Sequence, residues 1–204
     1  MDCIKIKEGT SLIRVLNSLP QVNSIDVYIN KKLVISNLQY KQFSNYMTLP
    51  EGDYRIDVFV SQSTDQPIIS GSIDLEEGQM LTIAAIGNIG DLGLLVISDH
   101  VDKEVIPDKS AFRIVQLSPN LPPVNVLVNN KSLVEGLEYK QNISYVDARP
   151  GQYTMDLYLA ENNILVLSFG AVLKPNRIYT MYIVGEYPDL SAIQSIDANT
   201  YLCK

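Results

Sequence analysis

From Ile25 to Ile29 the chain alternates: Ile25, Val27 and Ile29 are apolar, while Asp26 and Tyr28 are polar or amphipathic. A period of two is the pattern of a half-buried strand. Asn30-Lys31 breaks it before Leu33-Val34-Ile35, and because Asn accepts positive φ a tight hairpin is predicted there. The phrase recurs as Val124, Val126 and Val128, then Asn129-Asn130, then Leu133-Val134. Leu12 to Asn17 reads as a short opening strand, ended by the turn-forming Leu19-Pro20-Gln21-Val22-Asn23-Ser24. Pro50-Glu51-Gly52 and Arg149-Pro150-Gly151 are turns feeding the next strands. In these, Tyr54, Ile56, Val58 and Val60 share an inward face, as do Tyr153, Met155, Leu157 and Leu159. Asp57 and Asp156 then point outward as solvated residues, with Phe59 and Tyr158 beside them. Leu81 to Gly87 and Tyr179 to Gly185 are apolar on nearly both faces, which predicts central strands. Gly87-Asn88-Ile89-Gly90-Asp91 reads as a hairpin.

These coincidences are one repeat. Leu38-Gln39-Tyr40-Lys41-Gln42, Tyr46 and Gly52-Asp53-Tyr54 return as Leu137-Glu138-Tyr139-Lys140-Gln141, Tyr145 and Gly151-Gln152-Tyr153. The offset of 99 holds from Arg14/Arg113 to Asp57/Asp156 and becomes 98 afterwards, closing with Asp91 to Asp99 and Asp189 to Asp197. Two copies of one module follow. About seven short strands per copy, with turns between them and no long 3.6-period segment, predict an all-β fold: two tandem immunoglobulin-like antiparallel β-sandwich domains. Leu173 to Tyr179 has the form of a tyrosine corner; the first copy has Leu81 there. The predicted organisation is a tail over 1–10, a repeat over 11–99, a linker over 100–110, a repeat over 111–197 and a tail over 198–204.

Charge narrows the partners. The chain of 204 residues has a net charge of −7 and no cluster of Lys or Arg, so nucleic acid is not an expected partner. The N-terminal Met1 to Glu8 lacks an apolar core of signal-peptide length, and no run of about 18 apolar residues predicts a membrane span. Two cysteines, Cys3 and Cys203, lie at opposite ends. They are incidental thiols or a clasp between termini or subunits, and the clasp requires an oxidising compartment.

Arg14-Val15 and Arg113-Ile114, the Ser118-Pro119-Asn120-Leu121-Pro122 loop, the Val128-Asn129 hairpin and the Pro150-Gly151-Gln152-Tyr153 turn together resemble the bacterial domain-of-unknown-function family 4397. The resemblance covers roughly 11–99 and 110–197, and the second copy fits better: the first has Ser18-Leu19-Pro20 and Pro50-Glu51-Gly52 where the family places Ser-Pro and Pro-Gly. It implies an extracytoplasmic, immunoglobulin-like sandwich of unassigned activity, often attached to the cell envelope. The N-terminus reads as cytoplasmic instead; a protein laid down on a spore surface without export would reconcile the two.

Catalytic chemistry is scarce. His100, the one histidine, sits in the linker, so histidine-based catalysis has a single exposed candidate. Zinc needs about four Cys or His ligands, and neither a P-loop nor Gly-x-Gly-x-x-Gly occurs. Asp57 and Asp156, on separate copies, do not form a glycosidase dyad. Asp99, Asp102, Glu104 and Asp108 cluster at the junction and offer calcium hard oxygen ligands, but at a spacing that matches no calcium loop. No cofactor is expected. Tyr54 and Tyr153 read as core residues whose hydroxyls reach backbone. Ile164 to Leu173 is apolar on both faces, unlike Ser70, Ser72 and Asp74 of the first copy. Ile164, Val166 and Val172 are therefore interface candidates, facing the other domain or another subunit. The expected function is a non-catalytic structural or adhesive protein, self-assembling or bound to another protein at a surface. The alternative is a glycan- or peptide-binding module using exposed aromatics such as Phe59 and Tyr158.

Overall fold

The computed structural model describes residues 6–63, 65–99 and 107–201. The first unit carries eight strands: β1 (Thr10–Asn17), β2 (Ser24–Ile29), β3 (Lys32–Gln39), β4 (Met47–Pro50), β5 (Gly52–Val60), β6 (Ile69–Leu75), β7 (Met80–Asn88) and β8 (Asp91–Ser98). The second repeats them as β9 (Ser110–Gln116), β10 (Val124–Val128), β11 (Lys131–Leu137), β12 (Val146–Ala148), β13 (Gly151–Leu159), β14 (Leu165–Leu173), β15 (Arg177–Glu186) and β16 (Asp189–Ile196). A short 3-10 turn, Ala198–Tyr201, follows. Among the described residues no helix is long and apolar enough to cross a membrane.

Each unit is a sandwich of two four-stranded sheets. In the first the orders are β4-β1-β7-β8 and β3-β2-β5-β6; in the second, β12-β9-β15-β16 and β11-β10-β13-β14. One pair per unit departs from the antiparallel expectation: β1 runs parallel to β7, and β9 parallel to β15. Parallel neighbours need a long connection, and here the intervening strands supply it by passing through the opposite sheet. Eight strands also exceed the expected seven, the addition being the short edge strand β4 or β12.

The alternation of β2 is realised residue by residue, with Ile25, Val27 and Ile29 buried and their neighbours half-buried. They meet Ile13, Val15, Ile56, Val58 and Ile83 in the first core. In the second, Val124 and Val126 meet Phe112, Ile114, Met155, Leu157 and Met181. The predicted hairpin is present in both copies: Asn30 and Lys31 have φ of 48° and 67°, and Asn129 and Asn130 of 48° and 62°. The Asn side chain explains its place, because its Oδ1 accepts the amide of Arg55 or Thr154 at 2.9 Å and so ties the turn to the neighbouring strand. The hairpin after β7 is equally constrained. A Cβ on Gly87 would stand 2.0 Å from the Asp91 carbonyl oxygen, and one on Gly185 would stand 2.3 Å from that of Asp189. The tyrosine corner forms through the Lys174 amide, which donates to the Tyr179 hydroxyl at 3.0 Å. Tyr54 and Tyr153 donate to the carbonyls of Pro50 and Arg149, at 2.9 and 2.7 Å.

Candidate functional site

The doubled Leu-x-Tyr-Lys-Gln stretch is a turn that clamps the end of the first strand of each unit. Lys41 and Lys140 take left-handed backbone, φ 67° and 68°. Their amides donate to the carbonyls of Asn17 and Gln116 at 2.8 Å in each case. Each ammonium lies 5.0 Å from the ring centroid of the preceding Tyr40 or Tyr139. The turn delivers Tyr46 and Tyr145 onto a buried polar cluster built on the parallel pair. Arg14 and Thr82 are register partners, and the Arg14 Nε donates to Thr82 Oγ1 at 2.8 Å. The hydroxyls of Thr82 and Tyr46 both donate to Asp99 Oδ2, at 2.5 and 2.8 Å, and an Arg14 Nη lies 3.6 Å from that oxygen. The second unit repeats the cluster: Arg113 Nε to Thr180 at 2.9 Å, then Thr180 and Tyr145 to Asp197 Oδ2 at 2.7 and 2.6 Å.

Sequence reading singled out none of these as a set, although all four residue types recur at the repeat offset. The Tyr145 hydroxyl is held protonated far above its ordinary value, by burial first and the Asp197 charge second. The Arg14 guanidinium is sandwiched between the rings of Phe43 and Tyr46, 4.6 and 4.7 Å from their centroids. Arg113 lies 4.5 Å from that of Tyr145, and Asn142 stands in the place of Phe43. Donors and acceptors in this cluster are spent on one another, so it specifies the packing of each unit.

The outer face of the sheet β11-β10-β13-β14 is different in kind. An open cleft of about 450 Å³ is lined there by Asn125, Leu127, Asn130, Ser132, Glu135, Tyr158 and Asn163. Asn125 and Tyr158 are cross-strand partners on β10 and β13, and Gly136, at φ 69°, donates its amide to Asn125 Oδ1 at 3.0 Å. That leaves the Asn125 NH₂ group pointing to no partner among the described residues. The side chains of Asn130, Ser132, Glu135, Tyr158 and Asn163 likewise make no hydrogen bond among them. The cleft therefore offers one aromatic face, three amides, two hydroxyls and a carboxylate with unspent capacity.

The corresponding face of the first unit is closed. Tyr28 stands in place of Leu127 and meets Phe59, the counterpart of Tyr158, edge-on at 5.0 Å and 63°. Asp26, the counterpart of Asn125, accepts from the Asn37 amide and the Ser61 hydroxyl at 2.7 Å each, and from the Gln62 amide at 3.3 Å. Burial pushes the Asp26 carboxyl up, but these three bonds outweigh it and hold it below the usual carboxylate value.

Asp57 and Asp156 correct the expectation of solvated residues. Both are buried, at 8% and 9% exposure, although alternation does aim them outward. Cross-strand serines cover them: Ser70 donates to Asp57 at 2.6 Å and Ser168 to Asp156 at 2.5 Å. Arg55 adds a two-pronged contact to Asp57, its Nε lying 3.0 Å from both oxygens, and holds that carboxyl below its ordinary value.

Of the calcium candidates, Asp99 is spent in the buried cluster, and Asp108 is exposed, its amide donating to Asn176 at 3.0 Å. Asp102 and Glu104 lie outside the described residues, as do His100, Cys3 and Cys203. Among the described residues no group of three or more His, Cys, Asp or Glu is placed to hold a metal ion. Ile164 and Val172 are 54% and 52% exposed, Leu165 between them is 49% exposed, and Val166 is half-buried. Gln194 caps the end of β14, its Nε2 donating to the Val172 carbonyl at 2.9 Å.

Two tandem all-β sandwiches, each with its own copy of the same internal cluster and with divergent outer faces, define the class of the protein. The chain belongs to the family described as domain of unknown function DUF4397, whose profile matches residues 11–127 and 110–201. Among curated proteins, none matches the chain. Solved structures resembling it include the family CBM26 module of Eubacterium rectale Amy13K in complex with maltoheptaose, at 9% identity and TM-score 0.31, covering 91% of this chain and 97% of that one. The Bacillus anthracis TIE protein is similar at 16% identity and TM-score 0.27, over 85% of this chain and 33% of that one. A putative cell adhesion protein from Bacteroides eggerthii is similar at 4% identity and TM-score 0.26, over 97% and 98%. At these TM-scores the likeness carries no argument about what this chain binds.

Proposed function

We propose that the protein is a non-catalytic adhesive module of two β-sandwiches and that its second unit binds a glycan at the Tyr158 cleft. The observation that carries this reading is Tyr158 standing among the unspent amides of Asn125, Asn130 and Asn163, with Glu135 beside them. A pyranose has an apolar face of C–H groups and an equator of hydroxyls. The first suits an aromatic ring, and the second suits neighbouring amides and a carboxylate that donate and accept in turn. An open cleft admits a segment within a longer chain as readily as its end. The test is a calorimetric titration of the full chain with oligosaccharides chosen from a glycan array. Tyr158→Ala should weaken binding about tenfold or more, given about 1.5 kcal/mol for a lost aromatic contact. Absence of any array hit, or a hit indifferent to Tyr158→Ala, would overturn the reading.

A second reading, self-assembly, is favoured by β14. The stretch from Ile164 to Leu173 carries no charge and no proline, lies at a sheet edge, and exposes Ile164, Leu165 and Val172. Such an edge is a template for another strand unless something covers it. In light scattering Val172→Lys, at an exposed position, should lower the assembled mass to that of the single chain. An unchanged mass with unchanged stability rules out this contact.

A further inference from the structure

We propose that the mouth between β11 and β12 of the second unit binds a small carboxylate with an apolar body, of the kind of a medium-chain fatty acid. This site is separate from the Tyr158 cleft, Ser132 alone being common to both linings. It is an open cavity of about 360 Å³, within the size range of small-ligand sites and at its lower end. Its floor is hydrocarbon and aromatic: Phe112, Val128, Leu133, Ala148 and Tyr153. The Phe112 and Tyr153 rings lie 6.4 Å apart, and the Tyr153 hydroxyl is already spent on the Arg149 carbonyl, so only its ring faces a ligand.

The repeat shows why there is space. Val146 and Ala148 stand where the first unit has Met47 and Leu49, both of which pack against that unit's core. Shorter side chains in the same backbone frame leave volume that the surroundings refill only in part.

The rim supplies the charge. Arg149, in the place of Pro50, and Lys131 line the mouth, and neither side chain makes an ion pair or hydrogen bond among the described residues. Asp147 shares the rim, so its balance is one positive charge on a chain of net charge −7. An apolar body displaces water from the floor, while the guanidinium receives a carboxylate in two parallel bonds. A glycan fits less well, since the floor would leave its hydroxyls unpaired.

The test is a titration of the full chain, by calorimetry and by amide NMR shifts, with octanoate, octanol and octylammonium. Octanoate should bind at least tenfold more tightly than octanol, and octylammonium more weakly than octanol, with shifts centred on Phe112 and Ala148. Arg149→Gln, at an exposed position, should erase the octanoate advantage and leave octanol within twofold. Ala148→Leu restores the side chain that the first unit carries and should abolish binding of both. Equal binding of all three compounds, shifts confined to other surfaces, or octanoate binding unmoved by both variants would overturn the proposal.

Discussion

The two outer faces of the β3-β2-β5-β6 and β11-β10-β13-β14 sheets share backbone and register, yet one is spent on itself and the other is open. In the first unit Asp26 holds three donors and Tyr28 closes on Phe59. In the second, Asn125 keeps its NH₂ group free among the described residues, and Leu127 offers the half-buried Tyr158 no ring to close on. Both internal clusters meanwhile keep the same Arg, Thr, Asp and Tyr. On the reading proposed above, the difference teaches that stability and recognition are carried by separate layers of this module. A substitution on the outer face changes what the unit can bind and leaves the buried Arg-Thr-Asp-Tyr cluster alone.

The hardest way to break that separation is through the cluster. Asp99→Ala and Asp197→Ala should each destabilise by about 3–5 kcal/mol, because removing one partner strands a buried cation. Denaturant unfolding should show equal losses in the two variants; a much smaller loss for one would mean that the two clusters are not equivalent. Transplanting the closed face is gentler. Leu127→Tyr rebuilds the Tyr28/Phe59 pair against Tyr158, so it should abolish glycan binding while stabilising the chain by about 0.5–1.5 kcal/mol. Retained binding in this variant would show that the aromatic face is not the contact. The smallest effect is a pH effect at Asp57. Its carboxyl is held below the ordinary value of 3.8 by the Arg55 hydrogen bond first and Ser70 second. The resulting stability is present above 3.8 and disappears as pH falls through the lower folded value. Asp57→Asn should remove that part of the acid-side slope in unfolding measured from pH 5 to pH 2; an unaltered slope would contradict it.

Much of this was legible in the chain. Period-two alternation marks β2 and β10, and Asn30-Lys31 and Asn129-Asn130 mark their hairpins, because a turn needing positive φ leaves a local chemical trace. Alternation also aimed Asp57 and Asp156 outward correctly, but direction is not cover: Ser70 and Ser168 come from the next strand, and no local pattern announces them. The buried cluster was hidden for the same reason, since Arg14 and Thr82 are 68 residues apart. Phe59 and Tyr158 looked alike as exposed aromatics. Which one is usable depends on residue 28 or 127 on the paired strand, and that is knowable only once β2/β5 and β10/β13 are known to be neighbours.

The parallel pairing of β1 with β7 has a kinetic consequence. The first strand of each unit to leave the ribosome cannot take its central place until almost the whole unit has followed, because its partner lies 68 residues downstream in the first unit and 67 in the second. Loop closure of that length is an entropic cost borne before the contact can repay it. Each unit is thus expected to fold late, as a whole, in roughly milliseconds to seconds. Until then β1 and β9, which the folded unit buries on both faces, are the segments most in need of shelter during synthesis.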